Sequence, residues 1–81
     1  MILLTPVTTE KVLRMIELEN KIVFIVERNA SKENIRKEME KMFKVKVEDI
    51  NTQIKKNKKI AFIKLKKSTP AIDVATKLGI M

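Results

Sequence analysis

The chain has 81 residues and a formal net charge of +8, with 35% of its residues charged and no cysteine or histidine. This length corresponds to one small domain with a limited core, and the charge points to a polyanion or an anionic membrane as partner. The lack of cysteine excludes disulfides and thiolate metal sites. No apolar run approaches the ~20 residues of a membrane span, and no signal peptide is recognisable, so we expect a cytosolic protein.

The first predicted elements are a short strand and a helix. The apolar run Ile2 to Thr5 predicts a brief strand that is stopped by the following proline. Thr8 or Thr9 is a suitable N-cap for a helix from about Glu10 to Leu18, and Asn20 is its predicted stop. The buried stripe of this helix is predicted to comprise Val12, Leu13, Met15 and Ile16.

Residues 21–27 contain the clearest strand pattern of the sequence. Five consecutive apolar residues, four of them β-branched, are typical of an interior strand that is covered on both faces. After a turn at residues 28–30, Ser31 is a suitable N-cap for a helix that runs to Phe43. The buried stripe of this second helix is predicted to comprise Ile35, Met39, Met42 and Phe43.

Two further strands flank the lysine run of residues 55–59, which predicts a β-hairpin. In the first strand, the apolar alternation of Val45 and Val47 changes phase at Ile50, which predicts a β-bulge or a bend at Glu48–Asp49. In the second, the alternation predicts that Ile60, Phe62, Lys64 and Lys66 lie on the face opposite to the core positions Ala61, Ile63 and Leu65.

The chain ends with a predicted short helix. Thr69 and Pro70 fit its N-cap and first helical residue, and Gly79 fits the C′ position. Its apolar stripe comprises Ala71, Val74, Ala75 and Leu78. Strands joined by a hairpin, with helices packed on the sheet, predict a small α+β fold: a single domain over residues 1–81 with an antiparallel sheet of about four strands.

Catalysis is not expected. Without histidine or cysteine the chain lacks the usual general base near neutral pH and a thiolate nucleophile. The single glycine does not supply a phosphate-binding loop, and the acidic residues of segments 38–40 and 48–49 fit a solvated surface. No carboxylate spacing matches a metal-binding loop, so no metal site or cofactor is predicted.

The charge is concentrated in the second half of the chain. Residues 1–50 carry ten basic and nine acidic residues, whereas residues 51–81 carry eight basic residues and one acid. Phosphates would relieve the repulsion within such a lysine run, which predicts polyanion binding. The alternative is that lysines on a strand edge only discourage aggregation. The lysines between positions 55 and 67 are Lys55, Lys56, Lys58, Lys59, Lys64, Lys66 and Lys67.

Three residues beside the lysine run have two possible roles. Asn51 and Thr52 are either ordinary strand-end polar residues or contacts to phosphate and 2′-hydroxyl groups. Phe62 either packs against the first helix or stacks on a base, and the lack of tyrosine and tryptophan favours packing. Lysine outnumbers arginine fifteen to three, which favours contacts with the phosphate backbone over base recognition.

Short segments along nearly the whole chain, in the same order, match a known family. They are P-V-T-T-E-K at residues 6–11, N-K-I-V-F-I-V at 20–26, A-S-K-E-N-I at 30–35, M-F-K-V-K-V at 42–47, I-N-T at 50–52, A-F-I-K-L at 61–65 and A-T-K-L-G-I at 75–80. Through them the chain resembles the universal ribosomal large-subunit protein twenty-three family, the small rRNA-binding proteins of the polypeptide exit tunnel, in its archaeal form.

The resemblance implies an α+β protein that binds domain III of the large-subunit rRNA as a monomer within the cytoplasmic ribosome, beside another small ribosomal protein. It maps the family's basic hairpin to residues 55–59 and favours an RNA role for Asn51 and Thr52. Glu10 matches the exposed acid that the family offers to signal recognition particle or a ribosome-associated chaperone. The predicted rRNA-binding residues are Thr8, Lys11, Arg14, Asn51, Thr52, Lys55, Lys56, Lys58, Lys59, Lys64, Lys66 and Lys67.

The chain also departs from the family's pattern. Bacterial members have a long basic loop with glycine between the last two strands, and here the five residues 55–59, without glycine, replace it. We therefore expect no extension that reaches into the tunnel. Phe62 replaces the family's usual tyrosine. The alternatives are a free-standing basic nucleic-acid-binding protein, or a peripheral membrane or acidic-protein adaptor, for which no helix has the required basic and aromatic faces.

Overall fold

The computed structural model of the chain describes residues 2–80. Three helices and four strands make up its regular structure. Their bounds are β1 Leu3–Pro6, α1 Glu10–Glu19, β2 Lys21–Val26, α2 Lys32–Phe43, β3 Val47–Lys55, β4 Lys58–Leu65 and α3 Ala71–Lys77. Within residues 2–80, no helix is long and apolar enough to cross a membrane.

The four strands form one antiparallel sheet in the order β1-β2-β4-β3. The strands β2 and β4 are therefore interior, and β1 and β3 are the edges. The interior position of β2 was predicted from its apolar run and is confirmed, because Ile22, Val23 and Phe24 are all buried. The α+β class and the sheet of four strands are confirmed as well.

One face of the sheet forms the floor of the core. Residues opposite each other on neighbouring strands share a face, and the register pairs Phe24 with Ala61 and Ile50 with Ile63. Helix α2 covers this face, since the ring of Phe43 lies against that of Phe24 with 6.2 Å between the centroids. The buried strand residues on it are Leu3, Ile22, Phe24, Val26, Val47, Ile50, Ala61, Ile63 and Leu65.

Both long helices begin at the N-caps that the sequence predicts. The hydroxyl of Thr9 accepts a hydrogen bond from the Val12 N–H at 3.3 Å, so that Thr9 rather than Thr8 caps α1. The hydroxyl of Ser31 accepts from the Asn34 N–H at 3.1 Å at the start of α2. Each bond satisfies one of the backbone donors that the first helical turn leaves without a partner.

Two residues depart from the predicted pattern. Met42 was expected to be buried but is 42% exposed, because α2 turns Ile35 and Met39 into the core and ends at the half-buried Phe43. Pro6 was expected to stop β1 but is its last residue, paired with Phe24. An edge strand accepts proline because a missing N–H donor is tolerated there.

Asn20 links the end of α1 to the start of α3. It ends α1, as predicted, in the left-handed conformation with φ of 54° and ψ of 38°. Its side-chain Nδ2 donates to the carbonyl oxygens of Leu65 at 3.0 Å, Lys66 at 3.1 Å and, more weakly, Thr69 at 3.4 Å. Its Oδ1 accepts from the N–H of Ala71 at 2.6 Å. Asn20 therefore caps α3 from a position 51 residues earlier in the chain.

The start of α3 differs from the prediction. Pro70 is the N-cap rather than the first helical residue, and it contributes no side-chain hydrogen bond to the helix. Thr69, the predicted N-cap, instead donates its hydroxyl to the carbonyl oxygens of Lys46 at 3.3 Å and Lys66 at 3.1 Å. The cap supplied by Asn20 explains how α3 can begin without a capping side chain of its own.

The end of α3 is as predicted. Gly79 has a φ of 75°, a conformation that glycine adopts without the strain that a Cβ atom causes. The N–H of Gly79 donates to the Thr76 carbonyl and the N–H of Ile80 to the Ala75 carbonyl, each at 3.1 Å. This pair of bonds is a Schellman motif with glycine at C′.

The β3–β4 hairpin contains the predicted bulge, and its turn is shorter than expected. The register shifts between Val47 and Asp49, which confirms the bulge. Only Lys56 and Asn57 form the turn, with φ of 51° and 64°, and positive φ at both central residues is what a type I′ hairpin turn requires. The lysine run therefore belongs mostly to the strands.

We predict that Asn20→Gly lowers the free energy of unfolding by about 2–3 kcal/mol, because glycine keeps the left-handed backbone but removes the side-chain hydrogen bonds. Asn57→Gly is the matched control, since Asn57 also has positive φ and its side chain makes no hydrogen bond within residues 2–80. This control should leave stability unchanged or slightly raised. Urea denaturation measures both, and equal losses would contradict the role assigned to Asn20.

Candidate nucleic-acid interface

The face of the sheet opposite to α2 is open along the β3–β4 hairpin. The register pairs the exposed Asn51 with the half-buried Phe62, and the exposed Gln53 with the half-buried Ile60. We call this surface the open face. Its side chains are Asp49, Asn51, Gln53 and Lys55 from β3, and Lys58, Ile60, Phe62 and Lys64 from β4.

Three lysines form the end of the hairpin, and we call Lys55, Lys56 and Lys58 the tip lysines. Lys55 and Lys58 are the last cross-strand pair and lie on the open face, while Lys56 is in the turn. All three are exposed, and none forms an ion pair within residues 2–80. Like charges on directly opposed residues repel each other, so a bound anion would stabilise this arrangement.

Lys59 points the other way. Strand alternation turns it towards the core side of the sheet, where it is half-buried opposite Val26 and Ile54. Its Nζ donates a hydrogen bond to the carbonyl of Ala30, a buried residue just before the N-cap of α2. Lys59 therefore ties the hairpin to the start of α2 instead of joining the tip lysines.

The predicted pair Asn51 and Thr52 is divided between the two faces. Thr52 lies opposite Ala61 on the core side and is half-buried, so only Asn51 belongs to the open face. Gln53 is the exposed amide beside Asn51 on that face. Gln53 is not among the residues predicted from the sequence, although strand alternation places it, two residues after Asn51, on the same face.

Lys64 lies on the open face at the end remote from the turn, and its charge is compensated. Its Nζ is 3.3 Å from the Oε2 of Glu48, and Asp49 is its cross-strand partner. This end of the open face is therefore close to neutral. The uncompensated positive charge of the hairpin is confined to the tip lysines.

The predicted residues near the N-terminus form a separate group. Thr8, Glu10, Lys11 and Arg14 are exposed on α1 or just before it, and the main contacts of α1 are with β2 and α3. The guanidinium of Arg14 lies 3.5 Å from the Glu10 carboxylate. Both line a shallow depression of about 540 Å³, together with Lys11, Met15, Leu18 and Glu19. The structure does not place this group beside the tip lysines.

Lys66 and Lys67 also lie apart from the tip. They follow β4 at its C-terminal end, and the path along that strand from Lys58 to Leu65 covers about 23 Å. The lysines that are close in sequence are therefore dispersed in space. Some lie at the tip, one is turned inward, one is paired with an acid, and two are at the opposite end of the sheet.

The comparisons with known proteins agree on one family. The model of the family "Ribosomal protein L23" matches residues 1–76. The large ribosomal subunit protein uL23 of Pyrobaculum aerophilum is 47% identical over 76 residues, which cover 93% of this chain and 94% of that protein. The family match extends through the whole β3–β4 hairpin and most of α3.

We predict that Lys59→Met lowers the free energy of unfolding by about 1 kcal/mol, because it removes the donor to the partly buried Ala30 carbonyl. Lys58→Met is the matched control, with the same change of charge and size at the neighbouring, exposed position. It should change stability by less than about 0.5 kcal/mol. Urea denaturation measures both variants. A loss at Lys58 equal to that at Lys59 would show that the inward bond contributes nothing.

Proposed function

The chain belongs to the ribosomal protein L23 family and is a non-enzymatic constituent of the large subunit of the cytoplasmic ribosome, and from this premise we propose that it binds domain III of the large-subunit rRNA beside the polypeptide exit tunnel. The tip lysines and the open face form the RNA-binding surface. The observation that carries the proposal is the group of exposed tip lysines at the end of a short-turned hairpin, with no acidic partner among residues 2–80.

Phosphate binding explains why these charges are held together. Each lysine that contacts a phosphate releases condensed counterions from the RNA, which favours association. The ammonium group of lysine is a compact point charge that contacts phosphate from many directions. The planar guanidinium of arginine is instead suited to paired hydrogen bonds with a base edge. The tip lysines therefore suit recognition of RNA backbone and shape, with little selection of sequence.

The open face extends the contact from the tip along the hairpin. The amides of Asn51 and Gln53 both donate and accept hydrogen bonds, which suits 2′-hydroxyl and phosphate groups. Phe62 is half-buried and packs against the core cluster, so its main role is packing, and only part of its surface is open to a ribose or a base. The hydroxyl of the tyrosine that is usual in the family is absent here.

Helix α1 carries a second proposed contact, the docking of a nascent-chain factor. The side chain of Glu10 is 85% exposed and that of Arg14 is 73% exposed, and Leu18, one turn beyond, is 81% exposed. Spacing by four residues places these three on one face of the helix. We propose that this face receives signal recognition particle or a ribosome-associated chaperone, and that another small ribosomal protein is a neighbour at the tunnel rim. Thr8, Lys11 and Arg14 remain proposed rRNA contacts, so that Arg14 is shared between the two proposed surfaces.

We predict that a variant with the three tip lysines changed to glutamine, the tip variant, binds a domain III rRNA fragment more weakly than the wild type. The slope of log K against log salt concentration should become less negative by about 0.9 for each lost contact with duplex phosphate, or about 0.7 for single-stranded RNA. The α2 control removes the same charge outside the hairpin: Arg28, which lies just before α2, and Lys32 and Lys37, which lie on it, are changed to glutamine. Filter binding across a salt series measures all three proteins.

An unrelated structured RNA of equal length completes this experiment. We expect the wild type to prefer the domain III fragment. If the tip variant retained the full salt dependence, its lysines would only protect the strand edge. If both RNAs bound equally well, the free-standing nucleic-acid-binding protein would be the better description, and the proposed rRNA site would be refuted.

We predict that Glu10→Gln weakens the binding of signal recognition particle to subunits that contain the variant, because the exposed carboxylate is lost. Glu17→Gln, at an exposed position of the same helix, is the matched control and should bind normally. Co-sedimentation of the factor with purified large subunits measures both. Equal binding of the factor by the two variants would contradict a role of Glu10 in docking. Binding of a ribosome-associated chaperone is tested in the same way.

A further inference from the structure

A second group of lysines lies at the end of the sheet opposite to the hairpin turn. There β3 begins at Val47 and β4 ends at Leu65, and the connections before β3 and after β4 run side by side. We call this region the far end. Its lysines, all exposed, are Lys44, Lys46, Lys66, Lys67 and Lys77. Three of them, Lys44, Lys46 and Lys77, were not among the residues predicted from the sequence.

Hydrogen bonds join two of the three segments that carry these lysines. The Lys46 carbonyl accepts from the Lys66 N–H at 2.9 Å and from the Thr69 hydroxyl at 3.3 Å. Asn20 holds the carbonyl oxygens of Leu65 and Lys66 from the other side. The two lysine-bearing connections are thus joined by hydrogen bonds, although their side-chain charges repel each other.

The acidic residues of the far end do not compensate this charge. None of the five lysines forms an ion pair within residues 2–80. Glu19 pairs with Lys21 at 3.3 Å. The Glu40 carboxylate accepts a hydrogen bond from the N–H of Val47 at 3.2 Å and keeps its negative charge, so it offsets one of the five lysine charges at most. Glu48 is engaged by Lys64. A surface that served only solubility would mix both signs more evenly.

A small depression gives the far end a shape as well as a charge. It measures about 160 Å³ and lies between the C-terminal end of α2, the connection after β4, and α3. Lys44 and Lys77 both line it, as does the exposed Ser68, whose hydroxyl is a hydrogen-bond donor. Asp73 is the one acid in its lining. An anion seated here would meet two ammonium groups and a hydroxyl against a single carboxylate.

We propose that the far end is a second binding site for the phosphate backbone of RNA, distinct from the tip lysines. The proposal rests on the proposed function only in taking RNA as the polyanion. Because the β4 strand separates the two sites by about 23 Å, they must bind separate stretches of backbone. The protein then acts as a clamp that fixes the distance between two RNA segments, rather than as a single-point contact.

The test compares four full-length proteins on large-subunit rRNA: the wild type, the tip variant, the α2 control, and a far-end variant with Lys44, Lys46 and Lys77 changed to glutamine. All the changed side chains of the far-end variant are exposed, and the backbone bonds that join its connections remain. Urea denaturation should therefore give it the midpoint of the wild type. We expect its salt slope to fall by about 0.9 for each lost duplex phosphate contact, close to the effect of the tip variant.

Hydroxyl-radical footprinting separates the two sites. The far-end variant should lose one set of backbone protections and keep those that the tip variant loses. The second site is refuted if the far-end variant keeps the wild-type salt slope. It is also refuted if the salt slope of the α2 control falls as much as that of the far-end variant. If only the tip variant is impaired, the proposed function stands without the clamp. If neither variant is impaired, both proposals fail.

Discussion

The side-chain hydrogen bonds of Asn20 hold together two connections at the far end, the one from α1 to β2 and the one from β4 to α3. Asn20 makes hydrogen bonds to residues that lie 45 to 51 positions later in the chain. It stands where α1 turns into β2, in a left-handed conformation that asparagine tolerates better than most residues. The backbone of Asn20 thus ends α1, while its side chain caps α3 and holds the connection that follows β4. The placement of Lys66 relative to the start of β3 follows from it.

Strand alternation then decides what each lysine of the hairpin can do. Lys58 and Lys59 are neighbours in sequence, but one faces the open side and the other donates to the Ala30 carbonyl on the core side. Turning Lys59 inward lowers the charge density at the tip and ties the hairpin to α2. Pairing Lys64 with Glu48 neutralises the other end of the open face. The result is a charge gradient along the hairpin, positive at the turn and balanced near the bulge.

Local signals explain how much of this was predictable. The caps at Thr9 and Ser31, the bulge before Asp49 and the C′ role of Gly79 each depend on a few neighbouring residues, and sequence patterns identified them. The partners of Asn20 and Lys59 depend on segments distant in the chain, which no local pattern specifies. The hairpin lysines were predicted as binding residues together with Lys66 and Lys67, whereas Lys44, Lys46 and Lys77 were not predicted, because they lie in segments distant from the lysine run. The division of Asn51 from Thr52 follows from alternation alone, and grouping them as a polar pair obscured it.

The short turn gives the hairpin a different physical character from the long, glycine-containing loop of bacterial relatives. Lys56 and Asn57 both have positive φ, where glycine would be less strained, so the charge at the apex is present at a conformational cost. In return, the strands remain paired up to Lys55 and Lys58, and little of the hairpin has to be ordered on binding. A flexible loop adapts its reach to the RNA that it meets. A hairpin paired to its last residues presents its lysines at a set distance from the far end, so binding at both proposed sites requires a matching spacing of phosphates in a folded RNA.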